Sequence, residues 1–144
     1  MLINIINRQK TFRINQSEIL KKTTYILTSL SLPKAEVVIL FTNNRYIKKL
    51  NSQYRHRNYA TDVLSFPMRE GKFGKLNSPM LGDIVISVEK ANTNSKIHNF
   101  TLREELLFLI IHGILHLLGY NHETKDELKK LERIQNKLFN EVIT

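Results

Sequence analysis

Between Leu106 and Leu118 the chain reads LLFLIIHGILHLL, and its only polar side chains there are His112 and His116. Residues four apart on a helix share one face, about 6 Å apart along the axis, so both imidazoles can reach one ion. Gly119 then stops the helix and turns the chain. His122, three residues on, can swing back to offer a third nitrogen. Three protein nitrogens with a fourth position left to water is the layout of a catalytic zinc site, because the open position leaves room for chemistry. A lone histidine on an apolar helix is ordinarily a core residue with a hydrogen-bond partner. Two at i and i+4, followed by a glycine turn and a third, point to a metal. Copper and nickel bind nitrogen ligands more tightly in vitro, so a single zinc ion is expected on ligand type and availability. The chain has no cysteine, which excludes disulfides and thiolate ligands and fits a reducing compartment.

The spacing H-x-x-x-H-x-x-G-x-x-H is also that of the metzincin proteases, where Glu follows the first His and acts as general base. Here that position is Gly113, which has no side chain. The spacing supports the metal, and the glycine argues against peptide hydrolysis.

These residues must be positioned by the surrounding elements. Thr101-Leu-Arg-Glu104 matches a capping box that opens the histidine helix, and Gly119 should close it. A second capping box, Thr124-Lys-Asp-Glu127, begins a last helix with Leu128, Leu131, Ile134, Leu138 and Val142 as its apolar stripe. Upstream, residues 2–7 alternate as a strand, and a helix is predicted from about Ser17 to Leu30, before Pro33. Glu36–Thr42 (EVVILFT) has the β-branched, apolar pattern of a buried strand. Asn43-Asn44 is a turn or cap ahead of a short basic helix from Arg45 to about Gln53. Asp62–Phe66 and Gly82–Val88 read as two further strands, separated by a loop with Pro67, Gly71, Gly74 and Pro79 in which Arg69, Lys72 and Lys75 are exposed. A short helix is predicted from Glu89 to about Lys96. Strands mixed with helices in 144 residues imply one α+β (α/β layer) domain covering residues 1–144.

Lys and Arg outnumber Asp and Glu by 22 to 13, a formal charge of +9. Such a field favours a polyanion, usually nucleic acid or an anionic membrane surface, although lysine-rich surfaces also simply keep proteins in solution. The longest apolar stretch, Leu106–Tyr120, is 15 residues and carries two histidines, too short to span a bilayer. The start lacks a basic n-region and a proper apolar h-region, so no signal peptide is expected. The reading is a soluble, cytoplasmic protein without a membrane partner, expected to be a monomer.

At this point the residues resemble a known family. His112-Gly113-Ile114-Leu115-His116-Leu117-Leu118-Gly119-Tyr120-Asn121-His122 is closely similar to the HGxLHLxGYDH motif of the YbeY endoribonuclease (rRNA maturation factor) family. Leu50-Asn51-Ser-Gln-Tyr-Arg55, then Thr61-Asp62-Val63-Leu64-Ser65-Phe66-Pro67, and Leu81-Gly82-Asp83-Ile84-Val85-Ile86-Ser87 agree with it in order. The resemblance implies a four-stranded sheet with surrounding helices. It also implies a zinc-dependent, single-strand-directed ribonuclease in 16S rRNA 3′-end maturation and ribosome quality control, with the small ribosomal subunit as partner. His112, His116 and His122 would be the zinc ligands, and Arg55 the basic residue facing the site. The family usually has Asp where this chain has Asn121. Asn caps a turn as well as Asp does. If that residue instead orients a histidine or tunes the metal water, second-shell losses are on the scale of about 10–100-fold.

On this reading Arg55 neutralises charge that builds on phosphoryl oxygens beside a zinc-bound water. Without the resemblance it would read as an ordinary exposed arginine. Arg57, Lys48 and Lys49 can track an RNA backbone, or simply form a solvated face. Tyr54 and Tyr59 can stack on bases, or pack at a loop edge. Glu105 is a possible second-shell partner about two turns before His112, whereas the capping box explains Glu104. His56 is expected at the surface, His98 has no partner by spacing, and Asp62 and Ser65 suggest turn and strand hydrogen bonds first. The alternative to a nuclease is a non-catalytic, zinc-containing RNA-binding or ribosome-assembly factor.

Overall fold

The computed structural model describes residues 1–68 and 79–144. Arg69, Gly71, Lys72, Gly74 and Lys75 of the expected loop lie outside the described residues. In chain order the elements are β1 (Leu2–Asn7), α1 (Gln16–Ser29), β2 (Glu36–Thr42), α2 (Asn44–Arg55), β3 (Val63–Pro67), β4 (Met80–Ser87), α3 (Val88–His98), α4 (Leu102–Leu117) and α5 (Lys125–Val142). The four strands form one sheet in the order β1-β2-β4-β3. β1, β2 and β4 run parallel, and β3 is antiparallel to β4. The α+β class with four strands therefore stands.

The two faces of the sheet are covered unequally, and that decides where a site can form. Val37, Ile39 and Phe41 of β2, with Ile84 and Ile86 of β4, point into the main core against α1, α4 and α5. On the other face a smaller cluster of Ile47, Leu64 and Val85 seats α2. Alternate residues of a strand face opposite ways, so β4 divides Ile84 and Ile86 from Val85 between the two cores.

Strand β4 starts two residues earlier than the sequence predicts, at Met80. A register shift against β2 at Glu36/Val37 takes up an extra residue, so Gly82 is internal to the strand. Gly82 has φ +139°, and a Cβ there would stand 2.2 Å from the Phe66 carbonyl oxygen. Only glycine suits that position, and its low strand propensity hid the true start.

Helix α4 is central to the fold. Thr101 accepts from the Glu104 amide while the Glu104 carboxylate accepts from the Thr101 amide, the expected capping box. Leu106, Leu107, Leu109, Ile110, Ile111, Ile114, Leu115 and Leu117 are all buried. At about 1.5–3 kcal/mol for each large apolar side chain, that burial fixes α4 firmly enough to carry polar groups within its span. Helix α5 packs beside it through Leu131, Leu138, Phe139 and Val142. Leu128, expected in that stripe, is 38% exposed in the first turn, whereas Gln135 is buried. No helix among the described residues is long and apolar enough to cross a membrane.

Candidate metal and nuclease site

His112 and His116, one turn apart on α4, turn their Nε2 atoms toward each other at 2.9 Å. Their ring centroids are 4.4 Å apart. Helical geometry places them together, and both rings are half-buried. Nδ1 of His112 donates to Oε1 of Gln135 on α5 at 2.9 Å. Burial is the main cause that lowers His116 to about 4, with His112 and then His122 adding to it and a backbone hydrogen bond with Tyr120 opposing it. His116 is therefore neutral at physiological pH, the form in which imidazole binds metals.

The chain leaves α4 through a Schellman motif. The Gly119 amide donates to the His116 carbonyl and the Tyr120 amide to the Leu115 carbonyl, both at 3.0 Å. Gly119 has φ +97°, so the expected glycine turn is present for a conformational reason. That turn returns the chain toward the pair, with the His122 ring centroid 5.8 Å from that of His116. His122 is exposed, and no three His, Cys, Asp or Glu side chains among the described residues stand together as a finished metal cage. The donor chemistry nevertheless fits a borderline cation such as zinc: two imidazole nitrogens converge and a third histidine stands on the adjoining turn.

The paired histidines open onto a cleft of about 420 Å³ between α4, β3 and the C-terminal end of α2. Arg55, the last residue of α2, lines this cleft with Arg57, Asn51 and Tyr59. Arg55 donates from Nη2 to the Ser65 carbonyl at 2.6 Å and lies 5.5 Å from the Phe66 ring centre. These contacts hold the guanidinium at the cleft wall with other N–H groups left for a ligand. Asn51 is buried and donates to the Tyr59 carbonyl at 2.9 Å, pinning the loop that carries Arg57 and Tyr59. Ser65 Oγ donates to the Gly113 carbonyl at 3.3 Å, joining β3 to α4 between the two histidines. Asp62 accepts from Asn94 of α3 at 3.3 Å, so the side chains of both residues bond to helices rather than making the turn and strand bonds expected of them.

Other expected site residues lie elsewhere. Lys48 and Lys49 line a separate shallow groove with Arg45, Ser52, Gln53 and Asn58. Tyr54 is exposed and packs edge-on against Phe66, with ring centres 5.6 Å apart. Asn121 accepts from the Glu123 amide at 3.2 Å, a local turn bond of the capping kind. Glu105 is fully buried and bonds His98 Nδ1 at 2.8 Å, so its partner is His98 rather than a histidine of the cleft. His98 thereby has the partner that spacing did not reveal. Gln135 is the partner of His112 that was missed in the sequence. Its signal was present: the spacing 131-135-138-142 puts it on the buried face of α5, and a buried amide requires a partner.

The model of the family described as Endoribonuclease YbeY matches residues 4–143. An Endoribonuclease YbeY from Syntrophus aciditrophicus is 39% identical over 141 residues, covering 96% of this chain and 88% of its own. The one from Geobacter metallireducens is 36% identical over 141 residues, covering 96% and 94% respectively. A solution structure of a protein from Thermotoga maritima superposes with a TM-score of 0.60 at 28% identity, covering 97% of this chain and 91% of that one. On this agreement along nearly its whole length, the chain belongs to the Endoribonuclease YbeY family.

Proposed function

We propose that this protein is a zinc-dependent endoribonuclease that cuts single-stranded RNA in the cleft between α2 and α4. Its substrate on this reading is 16S rRNA of the small ribosomal subunit, at 3′-end maturation and in ribosome quality control. It would act in the cytoplasm as a monomer. The observation that carries the reading is the convergence of the His112 and His116 Nε2 atoms on a cleft that Arg55 also lines. The names of the relatives supply the reaction class.

His112, His116 and His122 would hold the metal. When bound, zinc supplies a water acidic enough to ionise near neutral pH and a Lewis acid for a phosphate oxygen. The chain does the rest. Arg55 offers a planar fork of donors to the phosphoryl oxygens, where negative charge grows as the phosphodiester is attacked. Its bond to Ser65 preorganises that fork. Arg57 adds positive charge along the same wall, and Tyr59 offers a ring on which a base can stack. Gly113 leaves no carboxylate base next to the first histidine, which separates this site from that of a metzincin protease.

The reading is tested by stripping the purified protein of metal and incubating it with a single-stranded RNA, with and without added zinc. Cleavage that appears only on zinc addition supports it. RNA binding that persists with no cleavage in either condition favours the non-catalytic assembly factor.

A further inference from the structure

We infer that Gln135 is a positioning residue: it locks His112 in the Nδ1–H tautomer and so presents the Nε2 lone pair to the cleft. The inference rests on the zinc-site reading, and its test separates the two.

The side chain is only 6% exposed, on a helix face otherwise filled by Leu131, Leu138 and Val142. Packing alone would place an apolar residue there, because a buried amide destabilises the fold unless its hydrogen bonds are made. The bond it makes is to His112 Nδ1, at 2.9 Å. A carboxamide oxygen is an acceptor only, so Nδ1 must carry the proton. In a neutral imidazole the other nitrogen, Nε2, is then unprotonated and an acceptor, and this is the atom that faces His116 Nε2 at 2.9 Å. A free histidine side chain favours the opposite tautomer, with the proton on Nε2, where it blocks a ligand. Gln135 reverses that preference before any ion arrives. Being neutral, it does so without adding charge to the site. Because it sits on α5 and His112 on α4, the ligand is ready only when these two helices are docked.

The test uses the metal-free protein and three variants: Gln135→Leu, Gln135→Met and Gln135→Glu. Imidazole ¹⁵N shifts report the His112 tautomer, and chelator competition reports zinc affinity. In wild type His112 is expected as the Nδ1–H form. Leu and Met should move it toward Nε2–H and weaken zinc binding by about 10–100-fold, the usual size of outer-shell losses. Glu, which also accepts from Nδ1, should restore the tautomer and recover affinity to within a few-fold of wild type. An Nε2–H tautomer in wild type, a reading that requires no variant, overturns the inference. So does unchanged zinc affinity in folded Leu or Met variants. If wild type binds no zinc, the metal reading fails, and the tautomer shifts alone still decide the role of Gln135.

Discussion

A Cβ atom on Gly113 would fall 2.9 Å from Cγ2 of Ile84, so α4 lies on β4 with no space for a side chain between them. This contact sets the depth of the histidine pair against the sheet. It also explains, from packing alone, why no general-base glutamate occupies the position after His112. Gly113→Ala should therefore destabilise the protein by up to about 2 kcal/mol, since overpacking costs about 1–3 and the better helix propensity of alanine returns about 1. Chemical denaturation checks this, and adding Ile84→Val should recover part of the loss. A denaturation midpoint equal to or above wild type for Gly113→Ala would remove this explanation.

Arg55 is held by Ser65 and Phe66 but contributes little to the core, so replacing it should affect the reaction more than the fold. Arg55→Ala is expected to lower kcat for RNA cleavage by about 10²–10³, the scale of losing one preorganised donor to a developing oxyanion. Arg55→Lys should recover little, because an ammonium lacks the planar fork. Single-turnover kinetics with thermal melts separate the two effects. Full activity in Arg55→Lys would reduce the arginine to a point charge.

Lys48 and Lys49 lie outside the cleft and make no ion pair among the described residues. If they touch RNA, they do so on phosphates beyond the scissile one. Lys48→Ala/Lys49→Ala should then reduce the slope of log affinity against log salt by about 1.4, from roughly 0.7 per phosphate on a single strand. The cleavage rate at saturating RNA should be unchanged. An unaltered salt slope makes this groove a solvated surface.

The lowered pKa of His116 fixes the sign of one pH effect. In the metal-free protein the unfolded chain takes up a proton at this residue near pH 6.5, while the folded chain resists until about 4. Between those values the unfolded state binds more protons, so stability falls as pH falls, and above about pH 7 the residue contributes no slope. Partial exposure of His116 limits the size of the effect. His116→Ala should flatten the urea midpoint between pH 6.5 and 4; an equal slope in both proteins assigns the acid sensitivity to other groups.

Much of this architecture is legible from local pattern. The capping box at Thr101, the apolar run of α4 and the stop at Gly119 are short-range signals, and the structure realises all three. The His112–His116 pair follows from helical spacing alone. What escaped was non-local. Gln135 is 23 residues from His112, and Ile134 beside it looked the better member of the apolar stripe. His98 and Glu105 meet because Asn99, in the left-handed conformation, turns the chain between α3 and α4. Arg55 gains meaning only once β3 folds beneath it, and spacing alone gave no reason to separate it from Lys48 and Lys49. Sequence periodicity tells which face is buried, but the partner across a helix pair depends on how those faces dock.

On the proposed function, the histidine pair carries metal-dependent RNA cleavage. The most direct measurement compares wild type with His112→Ala/His116→Ala, purified identically, on one single-stranded RNA, with chelator and zinc-restoration lanes for both. Cleavage by wild type alone, abolished by chelator and returned by zinc, is the predicted result. Equal cleavage by the two preparations would contradict the account, because the activity would then belong to something other than this site.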